Sequence, residues 1–242
     1  MNDKITVCLG KGGQREMAES FARKNNVPIM DKPGEHLTVM FDSRGVSLTG
    51  YGLTYQGDFE GMLHRVTNGR LSHEMLVRAV KTEGEHLKAI DATAGMGEDG
   101  FLLAAYGYEV TLYEQNPVIA ALLKDALRRA RKHPVLKDIA SRMKLVEGDS
   151  VSCMEKLMDP VDVIYLDPMF PKRQKSGLIN KKLQLIQKLE PPCSEEKDLF
   201  NAAIKAGPSR IIVKRPKSVC LDGREPSYIL KGKAIRYDCY VM

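Results

Sequence analysis

IDATAGMGEDG, residues Ile90 to Gly100, is the stretch that decides the fold. It follows a short β-type run, HLKAID (His86 to Asp91), and leads into FLLAAY (Phe101 to Tyr106), an apolar run that reads as a helix. Strand, glycine-rich turn and helix in this order are the opening unit of a crossover fold. Downstream the alternation continues. YEVTLYE (Tyr108 to Glu114) reads as a second strand, and Asn116-Pro117 supplies a helix cap followed by proline at the first helical position. The helix it opens has apolar residues at 119, 122, 123, 126, 127 and 130, the spacing of one buried stripe. MKLVEGD (Met143 to Asp149) and DVIYLDP (Asp162 to Pro168) are further strands, with a short helix around Val151 to Leu157 between them. Ser194 to Ala206 reads as a helix, SRIIVKRP (Ser209 to Pro216) as a strand and AIRYDCYVM (Ala234 to Met242) as a terminal strand. Strands alternating with helices predict an α/β fold, a Rossmann-like parallel sheet with helices on both faces.

Upstream the pattern differs. Leu71 to Lys81 has apolar residues at 71, 75, 76, 79 and 80 and predicts a helix. Before it lie short β-type runs: Ile5 to Leu9, Leu37 to Phe41 and Val46 to Gly50, with a helical stretch around Gln14 to Lys24. DSRG (Asp42 to Gly45) between the last two is a hairpin turn. Residues 1–65 therefore read as a small α/β appendage and 66–242 as the main domain. The 242 residues carry 37 Lys+Arg against 31 Asp+Glu, a formal charge of +6, with 43% hydrophobic residues. That composition excludes disordered and fibrous classes. Apolar stretches of about six residues fall far short of the roughly 20 needed to span a bilayer, so no membrane partner is expected. The five cysteines are scattered without a CxxC pair, which suggests neither a disulfide framework nor a zinc site and fits a reduced, cytoplasmic location.

Gly95, Gly97 and Gly100 form a literal GxGxxG, and Glu114 stands 19 residues after Gly95 at the end of the next strand. By spacing this matches the dinucleotide fingerprint, in which the acid binds ribose hydroxyls; a plain turn is the simpler alternative. Charge discriminates between nucleotides. A pyrophosphate needs bare backbone N–H groups, whereas this loop carries Glu98 and Asp99 with Asp91 at its root. S-adenosylmethionine (SAM) has no phosphate, and its ammonium and sulfonium are cations. Asp91 and Asp99 can face its methionine end, Gly95 and Gly97 let the backbone approach, and Glu114 can hold the ribose. Asp149, after the third strand, can accept the adenine amino group or simply cap the helix that follows.

DPMFP (Asp167 to Pro171) ends the fourth strand, at the sheet edge where ligands bind in such folds. An amine conjugated to a base ring is a poor nucleophile. Hydrogen bonds from its two N–H groups to the Asp167 carboxylate and the Pro168 carbonyl would favour a pyramidal nitrogen and hold it in line with a sulfonium methyl. Phe170 can stack on the base. The next segment, Pro171 to Leu189, has six Lys/Arg and no acids. Lys172, Arg173 and Lys175 adjoin the turn, Lys181 and Lys182 follow, and Lys214 and Arg215 end the fifth strand; together they predict a phosphate-binding surface. His64 to Glu74 matches no metal-ligand spacing and reads as a turn and helix start, with Arg65 and Arg70 able to touch RNA. The chemistry needs no metal.

IDATAGMGEDG, YEQNPVIAALL (Tyr113 to Leu123) and YLDPMFPKRQKSGL (Tyr165 to Leu178), with HRVTNGR (His64 to Arg70) and VKRP (Val213 to Pro216), resemble the bacterial family of 16S ribosomal RNA guanine-N2 methyltransferases named for guanine 1516. The likeness covers roughly residues 60 to 240. It implies a class I SAM-dependent methyltransferase fold and SAM contacts at Glu98, Asp99, Glu114, Gln115, Asp149, Ser150 and Asp167. It also implies 16S rRNA or the small ribosomal subunit as partner. Gln115 stands where arginine is usual in that pattern, and Asp149 where a small hydroxyl residue is usual. Competing expectations are methylation of a DNA or other RNA amine, an NAD-dependent oxidoreductase built on GMGEDG, and a non-catalytic RNA-binding module.

Overall fold

The computed structural model describes residues 5–34, 36–81, 84–168, 185, 189, 196–217 and 224–242. Within them the main sheet is built from β6 (Lys88–Asp91), β7 (Glu109–Glu114), β8 (Met143–Glu147), β9 (Val163–Leu166), β10 (Arg210–Pro216), β11 (Tyr228–Lys231) and β12 (Ile235–Val241). Their order is β11-β12-β10-β9-β6-β7-β8. The five strands from β6 to β10 are mutually parallel, as the alternation predicts. β12, however, runs antiparallel to both β10 and β11, so the sheet is mixed rather than wholly parallel. β11 and β12 form a hairpin closed by Gly232 N–H donating to the Ile235 carbonyl, and a hairpin must reverse direction. Sheet order reverses between β6 and β9, and that switch point opens a crevice at the carboxyl ends of the strands.

One face of the sheet is covered by α3 (Met75–Val80), α4 (Glu98–Tyr106), α5 (Pro117–Ala130) and α6 (Lys137–Ser141). The other is covered by α7 (Ser150–Glu155) and α8 (Glu196–Lys205). The helix expected over residues 71–81 is broken: after the single turn α2 (Leu63–Val66), a 3-10 turn over Arg70–His73 precedes α3, and Glu74 just before α3 is extended. α5 begins as its sequence dictates. The Asn116 side chain accepts from the N–H groups of Val118 and Ile119, satisfying two donors that the first helical turn leaves open.

A separate sheet, in the order β2-β1-β3-β4-β5, comprises β1 (Ile5–Leu9), β2 (Ile29–Met30), β3 (Leu37–Asp42), β4 (Gly45–Gly50) and β5 (Leu53–Tyr55). α1 (Arg15–Asn25) crosses over between β1 and β2, and the Asp42 to Gly45 turn closes the β3-β4 hairpin. This sheet packs on the back of α5, where Val118 and Leu122 join Val39, Val46 and Leu48 in one buried cluster. α5 is thus buried on two sides, since Leu123, Ala126 and Leu127 point to the main sheet. Between the two stripes lies Asp125, 1% exposed, held by Arg128 Nη2 at 2.6 Å and Arg129 Nε at 2.9 Å. Arg129 also donates to the carbonyl of Gly57. A carboxylate this deep is tolerable only with such partners.

Candidate active site

The glycine loop turns on two residues with left-handed backbone. Gly95 (φ +52°) has open space where a side chain would stand, the nearest atom being 3.9 Å away. Gly97 (φ +76°) differs: a Cβ there would meet Leu123 at 2.7 Å and Phe59 at 3.3 Å, so this glycine serves packing as well as the turn. Gly100 brings α4 against the sheet, because its missing Cβ would stand 2.4 Å from Leu112. Of the three glycines, Gly95 is the one with backbone exposed to an open space.

Glu114 closes the loop from the neighbouring strand. One carboxylate oxygen accepts the Gly95 N–H at 2.9 Å and the other accepts the Asn116 N–H at 2.7 Å. Gln115 beside it is exposed. Asp91 lies under the loop, 1% exposed, with one oxygen accepting the Thr93 N–H at 3.1 Å. Burial, aided by the charge of Asp99, pushes its carboxyl up to about 7. Asp149 is the cap of α7, accepting the Ser152 N–H at 2.8 Å, and Ser150 is the first residue of that helix. The Ser152 hydrogen bond holds the Asp149 carboxyl below its usual range. Asp149 remains exposed, so capping leaves it accessible.

Asp167 and the buried Pro168 leave β9 beside this loop. The Asp167 N–H donates to the Thr93 hydroxyl at 2.7 Å, which ties the fourth-strand turn to the glycine loop. Neither the β-type run nor the glycine spacing singles out Thr93. Phe170, Lys172, Arg173, Lys175, Lys181 and Lys182 lie outside the described residues. The placed ends of that segment are informative: Pro168 is at the crevice, while Leu185 is buried in the cluster beneath the N-terminal sheet. The Leu189 carbonyl accepts from the Asn116 side chain at 3.2 Å.

Two expectations are corrected. Arg215 is 1% exposed and cannot reach a phosphate; its guanidinium is paired with Glu196 of α8 and with Asp238 of β12 at 3.2 Å. Lys214, on the opposite face of β10, also turns inward. Its ammonium contacts Asp99 and Asp167, each at 2.8 Å, and does not form a surface patch with Arg215. Tyr165 completes this group by donating its hydroxyl to Asp99 at 2.7 Å. Arg65 makes a two-pronged pair with Glu74, both contacts at 2.7 Å, and that bond raises its already high pKa.

Among the described residues, Asp91, Asp99 and Asp167 therefore converge with Glu114 around an open-sided loop, with Lys214 placed among them. Carboxylates in excess of cations suit a positively charged guest and repel a diphosphate. The donor set fits SAM.

Comparison with known proteins agrees. Residues 52–242 match the family model described as putative SAM-dependent methyltransferase. The ribosomal RNA small subunit methyltransferase J of Pseudomonas fluorescens (strain Pf-5) is 42% identical over 99% of this chain and 97% of its own length. That of Thioalkalivibrio sulfidiphilus is 39% identical over 98% of both. The chain belongs to the ribosomal RNA small subunit methyltransferase J family. A crystal structure of a SAM-dependent methyltransferase from Neisseria gonorrhoeae superposes with a TM-score of 0.78 at 28% identity, covering 98% of this chain and 95% of that one. As a member of this family the chain is a SAM-dependent methyltransferase of Rossmann-like fold, which sets aside the oxidoreductase and the non-catalytic module.

Proposed function

We propose that the chain methylates the exocyclic N2 amine of a guanine in 16S ribosomal RNA, guanine 1516 in the family's naming, in the cytoplasm. The observation that carries this reading is the Asp167-Pro168 turn, fixed at the crevice by the Thr93 hydroxyl and adjacent to the cofactor loop. An Asp side chain and a Pro carbonyl offer two acceptors side by side, which is what a planar NH₂ group on a base requires. The names of the relatives, which specify ribosomal RNA of the small subunit, support the choice of RNA.

SAM, when bound, supplies a methyl group activated by a sulfonium. Glu114 would receive the ribose hydroxyls, Gly95 would give the backbone approach, and Asp99 and Glu98 would face the methionine end. Asp149 would accept the adenine amino group, and Ser150 and Gln115 would add further contacts to the cofactor. Asp167 and Pro168 would accept the amine hydrogens, localising the nitrogen lone pair and aiming it along the line of attack. As the nitrogen takes the methyl group from the sulfonium, it would become cationic, and Asp167 or water would receive the proton it sheds. Phe170 would stack on the base. Because a base inside a duplex cannot reach such a turn, the guanine must be unpaired or flipped out.

The basic run including Lys172, Arg173, Lys175, Lys181 and Lys182 follows the Asp167-Pro168 turn in sequence, and in this reading it binds phosphates of the substrate RNA. In this reading residues 1–65 are an appendage and 66–242 the methyltransferase unit. What supports the division is that, among the described residues, the two sheets share no strand.

The test is transfer from methyl-labelled SAM to 16S rRNA, free and in assembled small subunits, followed by mapping of the modified base. Label on the N2 of one guanine is expected. Label on DNA but not on rRNA would overturn the reading.

A further inference from the structure

We propose that Lys214 is a positioning residue for methyl transfer: its ammonium holds one oxygen of Asp167 so that the other is left, ionised, to accept the substrate amine. This rests on the role of Asp167 given above. The geometry is built for it. In the parallel β9-β10 pairing Val213 is opposite Leu166, so the next step along both strands sets Lys214 beside Asp167. Side chains at this step point to the α4 face, where Asp99 waits in the first helical turn. One ammonium thus bridges the cofactor loop and the catalytic turn, 2.8 Å from Asp99 Oδ2 and 2.8 Å from Asp167 Oδ2.

Among the described residues, the charged and titratable groups around this ammonium come from several elements. Asp91 is on β6, Asp99 on α4, Tyr165 and Asp167 on and after β9, Tyr237 on β12, and Arg65 reaches in from the residues before α3. Burial pushes the Asp167 carboxyl up, and Asp99 adds to this; Lys214 works against both. Burial alone would lower the lysine, but Asp99 and Asp167 together outweigh it and hold its pKa above the ordinary value. Lys214 therefore stays charged across the working range. Without it the Asp167 carboxyl would be pushed further up, and a protonated carboxyl is a weaker acceptor for the amine.

The experiment is the pH profile of kcat for Lys214→Met and Lys214→Arg with 16S rRNA and SAM, alongside thermal melts of all three proteins. The Met variant is expected to lose at least about tenfold in kcat at pH 7 and to show its acidic limb displaced upward by a pH unit or more, so that raising the pH recovers activity. The Arg variant, which keeps the charge, is expected to keep the wild-type limb. A Met variant whose limb stays at the wild-type position would overturn the role, whatever its melting temperature, because a purely structural lysine would change the amount of active enzyme and not its limb. If the wild type itself transferred no methyl to rRNA, the substrate reading would fall, and this role with it.

Discussion

Lys214 and Arg215 are consecutive, carry the same charge and end the same strand, yet they belong to opposite sides of the protein. Lys214 points to the α4 face and meets the carboxylates of the cofactor loop and the catalytic turn. Arg215 points to the α8 face and meets Glu196 and Asp238, far from any reacting atom. The difference is the two-residue period of a strand, which sends neighbours through opposite faces of the sheet. Two basic residues in sequence are thus not a basic patch. One side of β10 faces the candidate site and the other faces ion pairs with α8 and β12.

This contrast can be broken by separating activity from folding. The largest effect is expected on the chemical face. Asp167→Ala should lower kcat by on the order of a thousandfold or more, with RNA affinity and melting temperature little changed. Near-normal single-turnover rates in that variant would remove Asp167 from the mechanism. On the opposite face, Arg215→Ala removes the partner of Glu196 and leaves Asp238 with Arg236 alone, and should cost about 1–3 kcal/mol in urea unfolding, with the specific activity of the folded fraction retained. A large loss of RNA affinity in the folded variant would show that the two faces are not separate.

A subtler effect concerns Asp91, whose carboxyl titrates at about 7 because it is buried. Its ionised form attracts a cationic cofactor. Binding below that pH must expel a proton, so SAM affinity should rise by up to about tenfold per unit as pH increases towards 7 and level off above it. Calorimetry on Asp91→Asn should give a flat profile; a wild-type slope retained in that variant would assign the proton elsewhere. The smallest effect is expected at Asp149→Ala, where loss of the α7 cap should cost about 1 kcal/mol of stability. Any drop in SAM affinity beyond what that destabilisation explains would measure its contact with the cofactor.

Much of the frame is legible in the residues. The glycine turn after β6, the Asn116-Pro117 start of α5 and the Asp42 to Gly45 hairpin are local signals, and each forms where its spacing places it. The direction of β12 is not local. It depends on a hairpin with β11, a strand whose short sequence, Tyr228 to Lys231, carries little alternation. The site divides in the same way. Asp91, Gly95, Glu114 and Asp167 are readable because each ends a strand or opens a turn. Thr93, Tyr165 and the true partners of Lys214 and Arg215 depend on which strands lie side by side, and no window of sequence contains that. Gly97 shows a further limit, since its packing need comes from Leu123 and Phe59, residues distant in the chain.

The bond from the Asp167 N–H to the Thr93 hydroxyl spans 74 positions of sequence, and the Lys214 pairs with Asp99 and Asp167 span 115 and 47. These are long loops to close, and parallel pairing between remote strands is slow to form. The α5 helix and the N-terminal hairpins can be assembled from near neighbours well before β6, β9 and β10 are aligned. In time, then, catalytic competence is among the last properties the folding chain acquires. A half-folded molecule would carry its helices without yet being able to mark RNA.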